Sequence, residues 1–162
     1  MSIVLVRIDN RLVHGQVLEA WVPAVNANCI VVANDQAAAL PFHRTLMAAA
    51  VPRGIKLVVG SVEESTQLLR SGDLAGFRVL LLYASAQDAL DGFCQGAGFE
   101  ALNLGNMHAG EGKQKLSCTI ALAPEDVKNL RELEGRGVHI TSQCIPSDRE
   151  RDWNKLLPAG GN

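Results

Sequence analysis

Four residues able to handle a phosphoryl group fall within one short run: Arg7-Ile8-Asp9-Asn10-Arg11-Leu12-Val13-His14, followed by Gly15-Gln16-Val17. A neutral imidazole is a nucleophile near neutral pH. A guanidinium fork matches two phosphate oxygens at once. Asp9 can hold one ring nitrogen of His14 or fix an arginine. Together these side chains suit a histidine that accepts a phosphoryl group and hands it on. Taken singly they suggest less. A histidine after a strand is commonly just a loop residue, and an aspartate there suits a plain turn. The arginines tip the balance, because like charge beside a buried histidine only disfavours its protonation, whereas phosphate oxygens want such neighbours.

The elements around the run give it a place. An apolar strand over 3–7 ends at Arg7, and Val17, Ala20, Trp21 and Ala24 follow at helical spacing. His14 therefore lies on the loop at the carboxyl end of the first strand, just before a helix N-terminus. Open α/β folds bind ligands at that edge, and a helix N-terminus with its free N–H groups suits an anion. Further strands are predicted over 29–33, 55–59, 79–83, 101–104, 118–122 and 138–142. Several are continuous apolar runs, as parallel strands covered on both faces should be. Helices are predicted over 16–24, 41–50, 62–71, 86–93 and 124–134, with a short one near Trp153. Ser61 with Glu64 reads as a capping box, Ser85 as a cap, and Pro41 and Pro124 suit first helical positions. The alternation predicts an α/β fold: one domain over 1–157, a mostly parallel central β-sheet with helices on both faces, and a mobile tail over 158–162. Strand order cannot be read from this pattern.

Composition narrows the function classes. The chain has 162 residues, enough for a real core, and 48% of them are apolar. A net charge of −2 offers no basic field for nucleic acid. No apolar run is long enough to cross a bilayer, and Met-Ser-Ile-Val-Leu-Val-Arg lacks the features of a signal peptide. A cytoplasmic protein without direct membrane insertion is expected. Cys29, Cys94, Cys118 and Cys144 form no C-x-x-C pair and have no zinc-finger histidine spacing, so no metal site is predicted. Cys29 and Cys118 fall in predicted strands and read as small core residues. The segment from Gly105 to Lys113 fails the phosphate-loop pattern, because Met107 stands at the first glycine position and Gln114 at the Ser/Thr position. It reads as a flexible loop with His108 on its surface. His43 reads as a solvated helix residue, His139 as structural, and Trp21 and Trp153 as packing anchors. Asn34 and Asp35 follow the second strand and either order the His14 loop from behind or simply form a turn.

The run from Arg7 to Val17 resembles the signature loop of the IIB components of the mannose/fructose/sorbose family. These belong to the bacterial phosphoenolpyruvate-dependent sugar phosphotransferase system (PTS). The resemblance continues through Asn34-Asp35, through Asn103-Leu104-Gly105-Asn106-Met107 with its later Gly112-Lys113, and through Gly137 to Pro146, spanning residues 2–157. Asn10 stands where many members carry a second Asp, and Asn106 replaces the second glycine of a Gly-Gly pair. The latter argues against a phosphate contact in that segment. Family resemblance implies that His14 takes a phosphoryl group on Nδ1 from a phosphorylated IIA and gives it to a sugar held by the membrane components IIC and IID. It implies that Arg11 aids the second transfer. Arg11, helped by Arg7 and by Gly15 and Gln16, would hold the phosphate oxygens, and Asp9 would orient the loop. No cofactor is implied beyond the covalent phosphohistidine. Two other functions fit the same residues less fully: a regulatory phosphocarrier, and a non-enzymatic small-molecule binding module that leaves the Arg7, Arg11 and His14 grouping without a purpose.

Overall fold

Alternation along the strands builds two cores, one on each side of a single sheet. In the computed structural model, which describes residues 1–158, Cys29, Val31 and Ala33 of β2 (Cys29–Ala33) face one core while Ile30 and Val32 face the other. Strand β4 (Arg78–Tyr83) divides the same way, with Val79, Leu81 and Tyr83 opposite Leu80 and Leu82. All these side chains are buried, as the period-two pleat requires of strands covered on both faces. The remaining strands are β1 (Ser2–Asp9), β3 (Lys56–Gly60), β5 (Ala101–Asn106), β8 (His139–Ser142) and β9 (Arg151–Asp152). The sheet order is β3-β2-β4-β1-β5-β8-β9, parallel except for the last pair. The predicted α/β architecture is therefore the observed one. Residues 159–162, most of the predicted tail, lie outside the described residues.

Helices α4 (Val62–Ser71), α5 (Ala86–Cys94) and α6 (Pro124–Gly135) pack on one face through Leu69, Leu90, Leu130 and Leu133. On the other face lie α1 (Val22–Val25), α2 (Asp35–Ala39) and α3 (Pro41–Ala50), with Val22, Ala37 and Met47 in the core. The side chains of Ser61 and Ser85 accept the N–H groups of Glu64 and Asp88, so both serines cap their helices, while the Glu64 side chain does not return the bond that would complete a box at Ser61. Because the chain leaves β1 toward one face and leaves β5 toward the other, these two neighbours flank a crevice at their carboxyl ends. Their ladder joins Arg7, Ile8 and Asp9 to Asn103, Leu104 and Asn106. Below it the strands diverge around a cleft of about 670 Å³, which leaves Ile3, Val4 and Leu5 of a central strand only half-buried.

Three expectations need correcting. The stretch 118–122 is not a strand of the main sheet. Only Ala121–Leu122 (β7) is extended, and it pairs with Gln114–Lys115 (β6) in a separate hairpin. Ser117 Oγ accepts the N–H groups of Thr119 and Ile120, bending the chain there and leaving Cys118 exposed rather than in the core. The first helix is not α throughout. Val17–Trp21 is π-helical before α1 begins, and Pro23, having no N–H, cannot continue the ordinary ladder. Finally, α2 is an extra short helix, capped by Asn34 Oδ1 accepting the Ala37 N–H.

One packing detail makes a prediction. The Tyr83 hydroxyl is buried without a hydrogen-bond partner among the described residues, and burial pushes its ionisation well above the ordinary range. It rests against Gly92 of α5, where an added Cβ would overlap it. Gly92→Ala is expected to lower stability by about 1–3 kcal/mol through overpacking. Tyr83→Phe, which removes an unpaired buried hydroxyl, is expected to raise stability by about 1 kcal/mol. Thermal or urea melts of the two variants check both signs.

Candidate functional site

Polar residues converge where β1 and β5 end. Arg7 points into the face carrying α1, against the apolar habit of that strand, and its side chain is fully buried. Its N–H groups meet five acceptor residues. Nε donates to Asp9 Oδ2 (3.2 Å). Nη1 donates to Asn103 Oδ1 (2.6 Å) and the Gln143 carbonyl (2.9 Å). Nη2 donates to the Cys144 carbonyl (3.0 Å) and, at 3.4 Å, to Gln16 Oε1. The guanidinium also lies 5.0 Å over the Trp21 ring, whose Nε1 donates to the same Cys144 carbonyl. A Cβ at position 105 would overlap Arg7, so only glycine fits there. Burial pulls the Arg7 guanidinium down from its ordinary value and Asp9 pulls it back up. With its five N–H donors taken, Arg7 has no fork free for a phosphate. It is a structural cation, and that corrects the phosphate-holding role expected of it.

Asp9 is the hub. Its Oδ2 accepts from Arg7, from His14 Nε2 (2.9 Å) and from Asn106 Nδ2 (2.9 Å), and its Oδ1 accepts the backbone N–H of Arg11 (3.0 Å). Burial pushes the carboxyl up. The hydrogen bonds from His14 and Asn106 and the charge of Arg7 more than offset this and hold it below the ordinary carboxylate value. An ionised Asp9 can only accept, so Nε2 of His14 carries the proton of that bond, and in the neutral form of the ring Nδ1 is the nitrogen with the free lone pair. The His14 side chain is 8% exposed, and its Nδ1 is buried without a partner among the described residues.

The loop reaches this geometry through a tight turn. Leu12 N–H donates to the Asp9 carbonyl (2.9 Å), and Leu12 itself adopts a left-handed backbone with φ of 55°. That conformation strains a leucine by about 1–2 kcal/mol, and it folds His14 back onto Asp9. Leu18 N–H then donates to the His14 carbonyl (3.0 Å), so the N–H groups of Gly15 and Gln16 precede the first turn of helical bonds. The Gln16 side chain turns inward, with Oε1 accepting from Asn106 (3.2 Å) and Nε2 donating to Cys144 Sγ (3.3 Å).

Arg11 contrasts with Arg7. It is exposed, and its guanidinium has no hydrogen bond or ion pair among the described residues. It stands between two hollows. One, about 340 Å³, runs toward Asn34, His43 and Leu46. The other, about 190 Å³, runs toward Asn106, His108 and Lys115. Asn34 and Asp35 do not bond the His14 loop. Asn34 caps α2 and donates to Asp88, and Asp35 accepts the Val62 N–H, so their turn role accounts for them. Conversely, Asn103, Asn106, Gln143 and Cys144 join the site through their contacts with Arg7 and Asp9, and the sequence does not single them out for it. The signal was faint: two asparagines and a glycine at the end of an otherwise apolar strand.

A family profile described as "PTS system sorbose subfamily IIB component" matches residues 3–161. The sorbose-specific EIIB component of Klebsiella pneumoniae is 34% identical over 148 residues, covering 91% of this chain and 90% of its own. The mannose-specific EIIAB component of Escherichia coli K12 is 29% identical over 157 residues, covering 97% of this chain and 49% of its own. The crystal structure of the IIBSor domain of the Klebsiella pneumoniae sorbose permease superposes with a TM-score of 0.92 at 33% identity, covering 96% of each chain. A match over almost the whole chain, on a fold whose crevice gathers Asp9, His14 and two arginines, establishes that this chain belongs to the sorbose subfamily of PTS IIB components, phosphotransferases of bacterial sugar uptake.

Proposed function

We propose that His14 is the phosphoryl carrier and Nδ1 the atom that bears the group. The observation that carries this reading is the division of the ring: Nε2 is held by an ionised Asp9, while the Nδ1 lone pair has no partner. In the forward step that lone pair attacks the phosphorus of a phosphohistidine on IIA. The new N–P bond forms as the donor's N–P bond breaks, and the His14 proton stays on Nε2, shared with Asp9. The transfer needs positioning and charge stabilisation rather than further bonds. Arg11, with its unengaged fork, and the N–H groups of Gly15 and Gln16 supply that charge to the equatorial oxygens. Nδ1 is covered in the resting loop, so the loop must open locally as the donor seats. No metal or other cofactor takes part.

In the second step the phosphohistidine meets a sugar held by the membrane components IIC and IID, and Arg11 steadies the group as it leaves. Among the described residues no helix is long and apolar enough to cross a membrane. We place the protein in the cytoplasm, reaching the membrane through those partners. The mannose-specific relative is named an EIIAB component, a pairing of A and B parts on one chain. This supports direct contact between IIB and IIA here.

Three outcomes test the assignment. Incubation with phosphoenolpyruvate, enzyme I, the carrier protein HPr and a matching IIA should place acid-labile phosphate on His14. His14→Ala should fold and carry none, and label in that variant would overturn the site. Arg11→Ala should still accept phosphate but phosphorylate sugar about 10²-fold more slowly in vesicles bearing IIC and IID. Equal rates would remove Arg11 from the second step. Asp9 adds a pH signature. Its folded value lies below the unfolded one near 3.8, so its contribution to stability is present above that pH and lost as pH falls through the folded value. Asp9→Asn is therefore expected to lower stability at neutral pH and to flatten the acid limb of the stability curve below about pH 4.

A further inference from the structure

We infer that the exposed face of α3, together with the adjoining His14 loop, is the docking surface for the phosphorylated IIA donor; this rests on the reading of His14 as acceptor. Helix α3 is ten residues long and buries only Met47. Phe42 and Leu46, one turn apart, are 72% and 53% exposed, and Leu40 just before them is 46% exposed. Among the described residues, the only other large apolar side chain so exposed is Met1. Single exposed apolar residues are ordinary. Three on one short stretch, beside a reactive loop, mark a surface kept for a partner.

The patch is continuous with the site. The hollow of about 340 Å³ has Arg11, Leu12 and Val13 on one wall and His43, Leu46 and Met47 on the other. A partner seated on Phe42 and Leu46 thus also covers the strained turn that shields His14. Charge identifies which partner. From residue 10 to 18 and from 36 to 62 the sequence contains no Asp or Glu, while Arg11, His43, Arg44 and Arg53 lie within those stretches. An apolar stripe whose own segment carries Arg44 and no carboxylate, beside the unengaged Arg11, suits the partner that arrives carrying an anionic phosphoryl group. The acceptor sugar brings no such charge.

The test uses the double variant Phe42→Ser/Leu46→Ser, whose positions are exposed and whose fold is checked by thermal melt. Rates of His14 phosphorylation are measured against the concentration of phosphorylated IIA, and separately with phosphoramidate, a small donor that needs no docking surface. The proposal expects an unchanged rate with phosphoramidate and at least a tenfold higher KM for IIA with kcat little altered. The apolar replacement Phe42→Leu/Leu46→Met should restore KM. A wild-type protein that accepts no phosphate on His14 from either donor would sink the carrier reading and this proposal with it. A labelled wild type and a double variant with the same KM for IIA would overturn the docking surface alone. A variant that takes phosphate normally from IIA yet stalls in vesicles with IIC and IID would also overturn it, giving the patch to the membrane partners.

Discussion

The site depends on a buried ion pair at the end of a central strand. Arg7 and Asp9 lie two residues apart on β1, both fully out of solvent. Removing two charges from water costs several kcal/mol per ion, and their mutual attraction offsets this only when every remaining donor and acceptor is satisfied. Here the satisfaction comes from four parts of the chain: Asn103 and Asn106 on β5, the carbonyls of Gln143 and Cys144 after β8, Gln16 at the first helix, and the Trp21 ring. The fold could not place these groups separately. The contacts with Asn103, Asn106 and the two carbonyls require β5 to lie between β1 and β8 with the carboxyl ends level, and the parallel register provides that. A pair so built is weak evidence for stability. Its effect is on geometry, since a misplaced strand leaves a charge unpaired.

From that pair the reactive ring inherits its orientation. Asp9 spends one oxygen on Arg7, Asn106 and His14 and the other on the Arg11 backbone. The carboxylate therefore fixes both the ring and the turn that carries it. The left-handed Leu12 and the π-helical turn at Val17–Trp21 are departures from regular backbone on either side of His14. Strain of this kind persists only where surroundings over-determine it, and the surroundings here are the Asp9 acceptors on one side and the buried Trp21 on the other. Such irregularities cluster at functional sites, and these two sit where the chain leaves β1 toward one face while it leaves the neighbouring β5 toward the other.

Much of this was legible in the residues. Continuous apolar runs announced the parallel strands, serine and proline signals announced α3 to α6, and the Arg-Asp-Arg-His run marked where polar side chains gather at the end of β1. What escaped reading depended on long-range partners. Arg7 and Arg11 look alike in sequence, and only the strand order shows that one is enclosed by β5 and β8 while the other faces open hollows. Asn106 seemed an intrusion at a glycine position. The close approach in fact occurs one residue earlier, at Gly105 under Arg7, which frees Asn106 to reach Asp9. Cys118 sits in a run that looks like a strand, yet the Ser117 hydroxyl, accepting the backbone amides of Thr119 and Ile120, turns the chain out of the sheet. Asn34 and Asp35 lay at the right edge but answered to local needs, one capping α2 and the other holding the start of α4.

The unpaired Nδ1 brings these threads together. An acceptor buried without a partner costs about 1–3 kcal/mol, and nothing at His14 itself returns that energy. The contacts at Nε2 and at Asp9 must offset it, and they lie on the far side of the ring. If His14 is the carrier proposed above, a lone pair held this way has no hydrogen bond to break before it attacks, and an unfavourable feature of the resting fold becomes a gain when a phosphoryl group arrives. The same division explains why two arginines are needed. A cation close enough to lock Asp9 must be saturated and immobile, as Arg7 is. The role proposed for Arg11, following a phosphoryl group from donor to acceptor, asks instead for an unengaged fork, and its guanidinium at the exposed tip of the turn has no partner among the described residues. One residue could not meet both demands, and the four-residue interval between them is the length of the strand end and turn that separates a buried position from an open one.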